Sequence, residues 1–337
     1  MKYEREQLAD GFSVPCTRLH LAANGSASGA GGLAADIFRL VDSEGALLIR
    51  DTGFRSPHEF AAFLQEIDFL PHSYVGGTTP RTEYAAGVYS ATDLPPDRCI
   101  VLHQEMAYLD DVPDYVVFYC QEPAERGQKT NLLGDMRAFT EALPEHFRRR
   151  FRGKRARLRR RLPPAGESTG AYKDKKSWQE SLGTGDRRQA QTIARQRGWE
   201  LAWSDDDYLE ITQEPARFFR PHPIHGELWC TQALTFQPES WRLMAERDGR
   251  TEEAERLAGT MATAPESLSR MIMEDGTTVS ADECRTWFKM VCDLETPYAL
   301  GRGEVIILDN MLTAHGRSTF TGSRRLFAAL GDRATAA

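Results

Sequence analysis

The sequence predicts a mainly β protein of the α+β class, with a sandwich or barrel core and helical decoration. Two observations carry this prediction: β-rich apolar runs lie in both halves of the chain, and charged helical segments with a long insertion separate them. The chain has 337 residues and no internal repeat. That length suffices for one large domain or two smaller ones, and we expect a single domain over residues 1–337.

The first elements are a strand and a capped helix. "ALLIRD" at 46–51 is apolar enough for a buried strand. "SPHEFAAFLQEIDF" at 56–69 predicts a helix with Ser56 as N-cap and Pro57 at the first helical position. A loop rich in Gly, Thr and Pro follows at 74–84.

The next segments predict a pair of strands, a helix and an insertion. "RCIVLHQE" at 98–105 and "DYVVFYCQ" at 114–121 are β-rich runs separated by acids and a proline, and 134–143 has helical spacing. Residues 163–213 mix glycines, charges and tryptophans, which is typical of an insertion rather than of a second domain. Long insertions often cover active sites, so we expect a lid here.

The C-terminal part returns to β structure. "GEVIILDN" at 303–310 predicts a strand, "HGRSTFTG" at 315–322 a loop and "RRLFAAL" at 324–330 a further strand. Strands at both ends of the chain therefore enclose the helices and the insertion.

The composition favours a cytoplasmic protein. No stretch reaches the roughly 18 apolar residues of a membrane span, and the first residues lack the apolar centre of a signal peptide. The six cysteines are scattered without C-x-x-C spacing, so we expect reduced, packed thiols. We therefore expect neither a membrane partner nor a zinc knuckle.

A basic run contrasts with the acidic balance of the whole chain. The net charge is −7, yet "RRRFRGKRARLRRR" at 148–161 contains no acid. One interpretation is a solvated helix or strand face whose arginines pair with acids, and the other is a docking surface for an acidic protein or a nucleotide. Nucleic-acid binding has no further support, because the chain lacks a Gly-rich phosphate loop and basic-aromatic interleaving.

Two His-x-Glu pairs raise the question of a metal site. His103 and Glu105 would lie on the same face of a strand, as neighbouring ligands of one ion. Chance alone predicts about one such pair among eight histidines, and His225 with Glu227 forms a second. The second pair follows two prolines, where a turn is expected, so we prefer the first.

The first pair needs a distant histidine to complete a 2-His-1-carboxylate triad for Fe(II) oxygen chemistry. His315 is the candidate, since it follows a buried strand and precedes Arg324 and Arg325 on the next one. An arginine there can clamp the second carboxylate of 2-oxoglutarate.

Several motifs in order carry a family resemblance. "LHQEMAYLDDVPDYVVFYCQEPAERGQKTNLLGD" and "LDNMLTAHGRSTFTGSRRLFAAL" resemble the taurine dioxygenase and clavaminate synthase superfamily of Fe(II)/2-oxoglutarate oxygenases. "YVGGTTPR", "HPIHGELWCTQ" and "AHGR" resemble the branch of the syringomycin-type aspartyl hydroxylases. The resemblance covers about residues 46–330 and implies a double-stranded β-helix, or jelly-roll, core.

The resemblance also implies residue roles. His103, Glu105 and His315 become the metal ligands, and the cofactors become Fe(II), 2-oxoglutarate and O2. Arg325 becomes the clamp on 2-oxoglutarate, with Arg324 as its rival.

Thr130 matches the family threonine that hydrogen-bonds the same carboxylate of 2-oxoglutarate. Relatives usually have Gly-Gly before this threonine's neighbour, whereas this chain has Gly127, Gln128 and Lys129 there. Ala329 stands where taurine-type relatives have a substrate arginine, which argues against a sulfonate substrate.

The implied reaction is hydroxylation of an unactivated C–H bond in an amino acid or an amino-acid-derived substrate. The substrate would be free or held on an acidic carrier protein, in natural-product biosynthesis. Related halogenases replace the carboxylate ligand with a small residue, so Glu105 argues against halogenation. Desaturation, cyclisation and a non-catalytic metal-binding scaffold remain as alternatives.

Weaker candidates lie outside the metal set. Tyr74 and Arg81 belong to the 74–84 loop and are candidate substrate contacts, as is Trp178 in the insertion, although tryptophans there can equally anchor the insertion. His222 and His225 are expected to be structural.

Overall fold

Two β-sheets form the centre of the molecule. The computed structural model describes residues 2–9, 12–18, 30–72, 81–167 and 176–334. In chain order its strands are β1 (Glu4–Ala9), β2 (Phe12–Arg18), β3 (Ala46–Arg50), β4 (Phe69–Pro71), β5 (Glu83–Ala85), β6 (Val88–Ser90), β7 (Ile100–His103), β8 (Tyr115–Glu122), β9 (Asn131–Asp135), β10 (Arg155–Leu162), β11 (Glu200–Trp203), β12 (Leu209–Thr212), β13 (Ala216–Arg217), β14 (Phe219–His222), β15 (Gly226–Trp229), β16 (Arg270–Met273), β17 (Thr296–Tyr298), β18 (Val305–Asp309), β19 (Thr313–Arg317) and β20 (Arg325–Arg333).

Helices surround these sheets. They are α1 (Ala30–Glu44), α2 (Pro57–Glu66), α3 (Met136–Ala142), α4 (Glu145–Phe151), α5 (Trp178–Leu182), α6 (Arg187–Gln196), α7 (Pro238–Arg247), α8 (Thr251–Thr263) and α9 (Ala281–Asp293). No helix of the described ranges is long and apolar enough to cross a membrane.

The larger sheet has the strand order β1-β2-β3-β18-β8-β20-β6-β5, with β4 also paired to β20. The smaller sheet has the order β17-β9-β19-β7, and all its pairings are antiparallel. Side chains from both sheets share one apolar cluster, with Ile306 and Leu308 of β18 against Leu133 of β9 and Tyr298 of β17. The two sheets therefore pack face to face, which confirms the expected sandwich core.

The position of β18, with packed side chains on both of its faces, explains why its sequence is apolar throughout. Successive side chains of a strand point to opposite faces, so Ile306 and Leu308 reach the space between the sheets. Val305 and Ile307 instead pack with α1 and α2 on the outer face. Both faces are buried, and a continuous apolar run is the expected consequence.

Helix caps follow the sequence. α2 begins after Ser56, which forms a capping box with Glu59, and Pro57 occupies the first turn. α3 begins after Asp135, whose carboxylate accepts a hydrogen bond from the Arg137 backbone N–H. The predicted strands at 46–51 and 114–121 are confirmed as β3 and β8, and the strand predicted at 98–105 is β7, which ends at His103. The predicted loop at 315–322 is wrong in its first part, because β19 continues to Arg317.

The described part of the 163–213 insertion pairs with strand β10, which carries part of the basic run. Strand β12 pairs with β10, and the sheet runs β11-β12-β10-β13 with β16 also paired to β10. Helices α5 and α6 pack on this sheet through a cluster that includes Trp178, Ala190 and Ile211. A lid role for the segment stays a prediction.

The C-terminal part of the basic run is the paired, amphipathic strand β10, whereas residues 148–151 lie in α4. In β10 the side chains alternate, and Ala156, Leu158, Arg160 and Leu162 are buried. The other four arginines form ion pairs of 2.6 to 3.8 Å: Arg155 with Asp110, Arg157 with Glu200, Arg159 with Glu210 and Arg161 with Asp206. The structure thus favours the interpretation in which these arginines pair with acids of the same chain.

Candidate metal centre

Two strands of the smaller sheet bring the predicted histidines together. His103 is the last residue of β7, and His315 lies directly opposite it on β19. The ring centroids are 4.4 Å apart. Gly316 permits this approach, because a Cβ at that position would lie 2.5 Å from the Ile100 carbonyl oxygen. The glycine of "AHGR" is therefore required by the close packing of the two strands.

Glu105 lies just beyond β7 and not on it. The strand ends at His103, and a turn with Met106 at φ 57° follows. The prediction that both side chains share one face of a strand was therefore wrong in its geometry. The carboxylate still converges on the histidines, with its Oε2 at 3.9 Å from Nε2 of His103 and 3.8 Å from Nε2 of His315.

These three residues form the one cluster of possible metal ligands found among the described residues. One ligand atom from each lies within 4.8 Å of the others. Nδ1–H of His103 donates to the Val101 carbonyl at 3.0 Å, which leaves the Nε2 lone pair facing Glu105. His315 packs its ring edge-on against Phe118 at 5.1 Å. Two imidazoles and one carboxylate on neighbouring strands match the donor set that suits Fe(II).

Local electrostatics keep the donors in their metal-binding forms. Burial alone would raise the pKa of the Glu105 carboxyl, but the Arg81 guanidinium and the two imidazoles hold it well below its usual value. Burial, together with the electrostatic effect of the neighbouring His103, lowers the pKa of His315 to about 4. At neutral pH the carboxylate is charged and the His315 imidazole is neutral.

Arg81 is part of this centre. Its Nη2 donates to Oε2 of Glu105, and its side chain is only 5% exposed. It also lines the cavity beside the histidines. Tyr74, the other candidate from the same loop, lies outside the described residues.

A cavity extends from the histidines to a partly buried arginine. Its wall combines apolar and cationic side chains: Arg81, Ala91, Thr92, Ile100, His103, Phe118, Asn131, Leu132, Tyr298, His315, Gly316, Arg317 and Arg324. Nη1 of Arg324 donates to Oγ1 of Thr130 at 3.1 Å. Burial lowers the pKa of Arg324 to about 10, and no carboxylate of the described residues offsets this shift. A partly buried guanidinium of this kind fits an anionic ligand.

The sequence-based preference for Arg325 has to be corrected. Arg325 is exposed at the start of β20, whereas Arg324 lines the cavity. A register shift between Arg325 and Leu326 in the pairing of β20 with β8 breaks the simple alternation at this point. The rival assignment, Arg324, is the one with the required geometry.

Other candidates have structural roles. Trp178 is buried in the insertion, edge-on to Trp203 at 6.0 Å, and is not among the cavity-lining residues. The structure therefore favours its role as an anchor of the insertion over a substrate contact. His222 bonds to Asp309 at 3.1 Å and accepts hydrogen bonds from the backbone N–H groups of Ile224 and His225. His225 lies in the turn between β14 and β15, whereas Glu227 lies on β15, so the expected turn holds for only one member of this pair.

Two residues around the centre escaped the sequence analysis. Arg317 lines the cavity, but its guanidinium donates to the carbonyls of Leu94, Pro95 and Arg98. Asn310 bonds to the backbone of Glu105. A usable signal for Asn310 was its place at the end of the apolar run "VIILDN", where a buried polar residue needs partners.

Comparisons with known proteins agree with this arrangement. Residues 5–330 match the sequence profile of the family described as "Taurine catabolism dioxygenase TauD, TfdA family". The dapdiamide synthesis protein DdaC of Enterobacter agglomerans is 25% identical over 303 residues, which cover 88% of this chain and 84% of that protein. A clavaminate synthase-like protein of Arabidopsis thaliana is 25% identical over 300 residues, covering 86% of this chain and 82% of the relative.

Solved structures show the same fold. A taurine dioxygenase from Burkholderia xenovorans superimposes with a TM-score of 0.51 at 14% identity, over 98% of this chain and 90% of that one. The protein AAD-2 in complex with Mn(II) and N-oxalylglycine gives the same TM-score at 12% identity, over 98% and 97% of the chains. The two packed sheets are therefore the expected jelly-roll core with helical decoration.

Proposed function

The chain belongs to the taurine catabolism dioxygenase TauD/TfdA family, and on that basis we propose that it hydroxylates an unactivated C–H bond of an amino acid or amino-acid-derived substrate. It is a dioxygenase that depends on Fe(II), 2-oxoglutarate and O2, as this family does. The non-catalytic scaffold considered from the sequence is thereby set aside. The substrate, free or carrier-bound, and its place in natural-product biosynthesis are the parts we propose.

One observation carries the proposal: a largely buried 2-His-1-carboxylate cluster faces a partly buried arginine across one cavity. His103, Glu105 and His315 would hold the metal ion. Arg324 and Thr130 would hold the distal carboxylate of 2-oxoglutarate. Three protein ligands leave coordination positions for a co-substrate that chelates and for O2. A scaffold without turnover has no need of the arginine.

The reaction divides between the bound groups and the protein. When bound, Fe(II) and 2-oxoglutarate use O2 to place one oxygen atom in a C–H bond, while the second oxygen enters succinate and CO2 leaves. The protein orients the co-substrate through Arg324 and Thr130 and keeps His315 neutral as a donor. The apolar side chains of Ile100, Phe118 and Leu132 exclude water from the cavity.

The retained carboxylate favours hydroxylation over halogenation. Glu105 is buried, at 3% exposure, and its carboxylate faces both imidazoles. A halide therefore has no vacant protein-ligand position at this centre. Desaturation or cyclisation of the substrate remains the alternative outcome, since both start from the same attack on a C–H bond.

Arg81 supports a substrate with a carboxylate. It lines the cavity next to the ligand cluster, and the nearby Lys176 has its pKa lowered by burial and by the charges of Arg81 and Arg160. A cation on the cavity wall with a second cation near it would attract an anionic group such as an amino-acid carboxylate. In taurine-type relatives the substrate arginine lies four residues beyond the co-substrate arginine. If Arg324 is the clamp, that position is Ala328, which is buried, so the substrate arginine is absent with this assignment as well.

Two further observations bear on the setting. The name of one relative places it in the synthesis of dapdiamide, which supports a role in natural-product biosynthesis. Lys176 of the insertion is close enough to the cavity-lining Arg81 for that charge to lower its pKa, which supports the proposed lid over the cavity. An acidic carrier protein would need a docking surface other than the outer face of β10, whose arginines are paired.

A substrate screen tests the proposal. Purified protein with Fe(II), 2-oxoglutarate and O2 would be offered amino acids, each free and as a carrier-bound thioester, with succinate and product mass as readouts. We expect substrate-dependent succinate and a mass gain of one oxygen atom. A loss of two hydrogens would show desaturation instead. Succinate formation that no amino-acid substrate increases would overturn the proposed substrate class.

A further inference from the structure

Asn310 clamps the backbone of a candidate metal ligand. Its Oδ1 accepts a hydrogen bond from the Glu105 N–H at 2.8 Å, and its Nδ2 donates to the Glu105 carbonyl at 2.9 Å. The same Nδ2 donates to the Pro113 carbonyl at 2.9 Å. The amide of Asn310 thus imitates the neighbouring strand that Glu105 lacks, since β7 ends at His103.

Every polar group of this side chain has a partner. Asn310 is 1% exposed, and its backbone N–H donates to the Asp114 carbonyl at 2.8 Å. A buried amide with all its hydrogen bonds made has a single orientation, because any rotation would leave several polar groups unpaired. Asn310 can therefore hold the Glu105 backbone in a fixed position.

Gln104 forms the reciprocal contact. Its Nε2 donates to the Met311 carbonyl at 2.8 Å and to the Trp229 carbonyl at 3.2 Å, and its Oε1 accepts from the Thr231 N–H at 3.0 Å. Gln104 is also 1% exposed. Gln104 therefore hydrogen-bonds to the 310–311 turn, and Asn310 of that turn hydrogen-bonds to Glu105.

The two segments carry all three candidate ligands. Gln104 lies between His103 and Glu105, and the 310–311 turn leads directly into β19, which carries His315. We propose that Asn310 and Gln104 are positioning residues that hold these two segments in register and so set the affinity and geometry of the metal centre. This inference rests on the ligand set of the proposed function. Neither side chain needs to contact the metal ion for the effect.

Cobalt(II) titration of the full-length protein without 2-oxoglutarate tests this inference. Co(II) accepts the same N and O donors, and its visible absorption reports coordination geometry. For Asn310→Ala and Gln104→Leu we expect Co(II) affinity about tenfold to a hundredfold weaker, the range found for residues that orient metal ligands. We also expect a changed visible spectrum at saturating Co(II).

A matched control separates positioning from general destabilisation. Thr52 is fully buried, and its hydroxyl donates to the Gly303 carbonyl and accepts from the Phe54 N–H. Gly303 precedes β18, whereas Asn310 follows its other end. Thr52→Val should lower the melting temperature and leave Co(II) affinity and spectrum unchanged.

The possible outcomes distinguish the positioning role of Asn310 and Gln104 from the assignment of the metal ligands. Wild-type affinity and spectrum in folded Asn310→Ala and Gln104→Leu would overturn the positioning role while the ligand set stands. Equal Co(II) binding by wild type and His103→Ala would overturn the ligand set, and the positioning role with it. Should Asn310→Ala fail to fold, Gln104→Leu decides alone by the same readouts.

Discussion

The guanidinium of Arg324 donates to the hydroxyl of Thr130 at 3.1 Å, on the wall of the cavity that also holds His103 and His315. Thr130 precedes β9 and Arg324 precedes β20, so the contact joins the smaller sheet to the larger one. Both side chains come from positions that sequence motifs single out, yet only the fold shows which arginine of the pair faces inward.

Arg324 and its neighbour should differ sharply in the kinetics of 2-oxoglutarate. Arg324→Gln removes a charged donor pair, and we expect a loss of about 3 kcal/mol, or roughly a hundredfold rise in the KM for 2-oxoglutarate. Arg325→Gln is the matched control, and its exposed side chain predicts a change of less than about twofold. Steady-state succinate formation measures both. The reverse order of effects would restore Arg325 as the clamp.

Thr130 should contribute less, and through Arg324. Thr130→Val keeps the shape of the side chain and removes one hydrogen bond, so we expect the affinity for 2-oxoglutarate to fall by about 1 kcal/mol, or roughly fivefold. In a double-mutant cycle, the double variant Thr130→Val, Arg324→Gln should lose less affinity for 2-oxoglutarate than the sum of the losses of the two single variants. Strictly additive losses, measured by calorimetric titration, would mean that the two residues do not act on the same carboxylate.

Asp114 predicts a pH dependence of stability away from the metal centre. Desolvation by the surrounding protein and the nearby negative charges of Asp332, Asp309 and Asp42 raise the pKa of its carboxyl to about 6. A raised native pKa favours the folded state below about pH 4, and this contribution is lost as the pH rises through about 6. Asp114→Asn should therefore have the higher melting temperature at pH 8, and the difference should shrink towards pH 4. A melting temperature at pH 8 equal to or below that of wild type would contradict this.

The outer face of β10 should be dispensable for turnover. Arg157 and Arg159 pair with Glu200 and Glu210, and exposed pairs of this kind contribute about 0 to 1 kcal/mol each. We expect the double variant Arg157→Glu, Arg159→Glu to turn over free and carrier-bound substrates within about twofold of wild type. Arg160 is buried and is left intact, because its replacement would test folding. A selective loss with the carrier-bound substrate would instead identify this face as the docking surface.

Local features of the fold could be predicted from the sequence. The cap of α2 at Ser56 and the buried strand at 305–309 follow from capping chemistry and from continuous apolar runs, which depend on neighbouring residues only. The metal ligands could be proposed because several motifs occur in order. Spacing alone did not distinguish His103 with Glu105 from His225 with Glu227.

Features that depend on strand register could not be predicted. Whether Arg324 or Arg325 faces the cavity depends on a register shift between β20 and β8, and the two residues are identical in type. The pairing of His315 opposite His103 joins residues more than two hundred positions apart. The role of Asn310 arises because β7 ends before Glu105, and no periodicity of the sequence marks that end.

The metal centre is tested most directly by an anaerobic titration with Fe(II) and then 2-oxoglutarate, which follows the visible charge-transfer absorption of the chelated oxoacid. Wild type and His225→Ala, the matched control from the second His-x-Glu pair, should develop this absorption, and His103→Ala should not. Folded wild-type protein without the absorption, or a His103→Ala variant that keeps it, would contradict the assignment of His103, Glu105 and His315 as the metal centre.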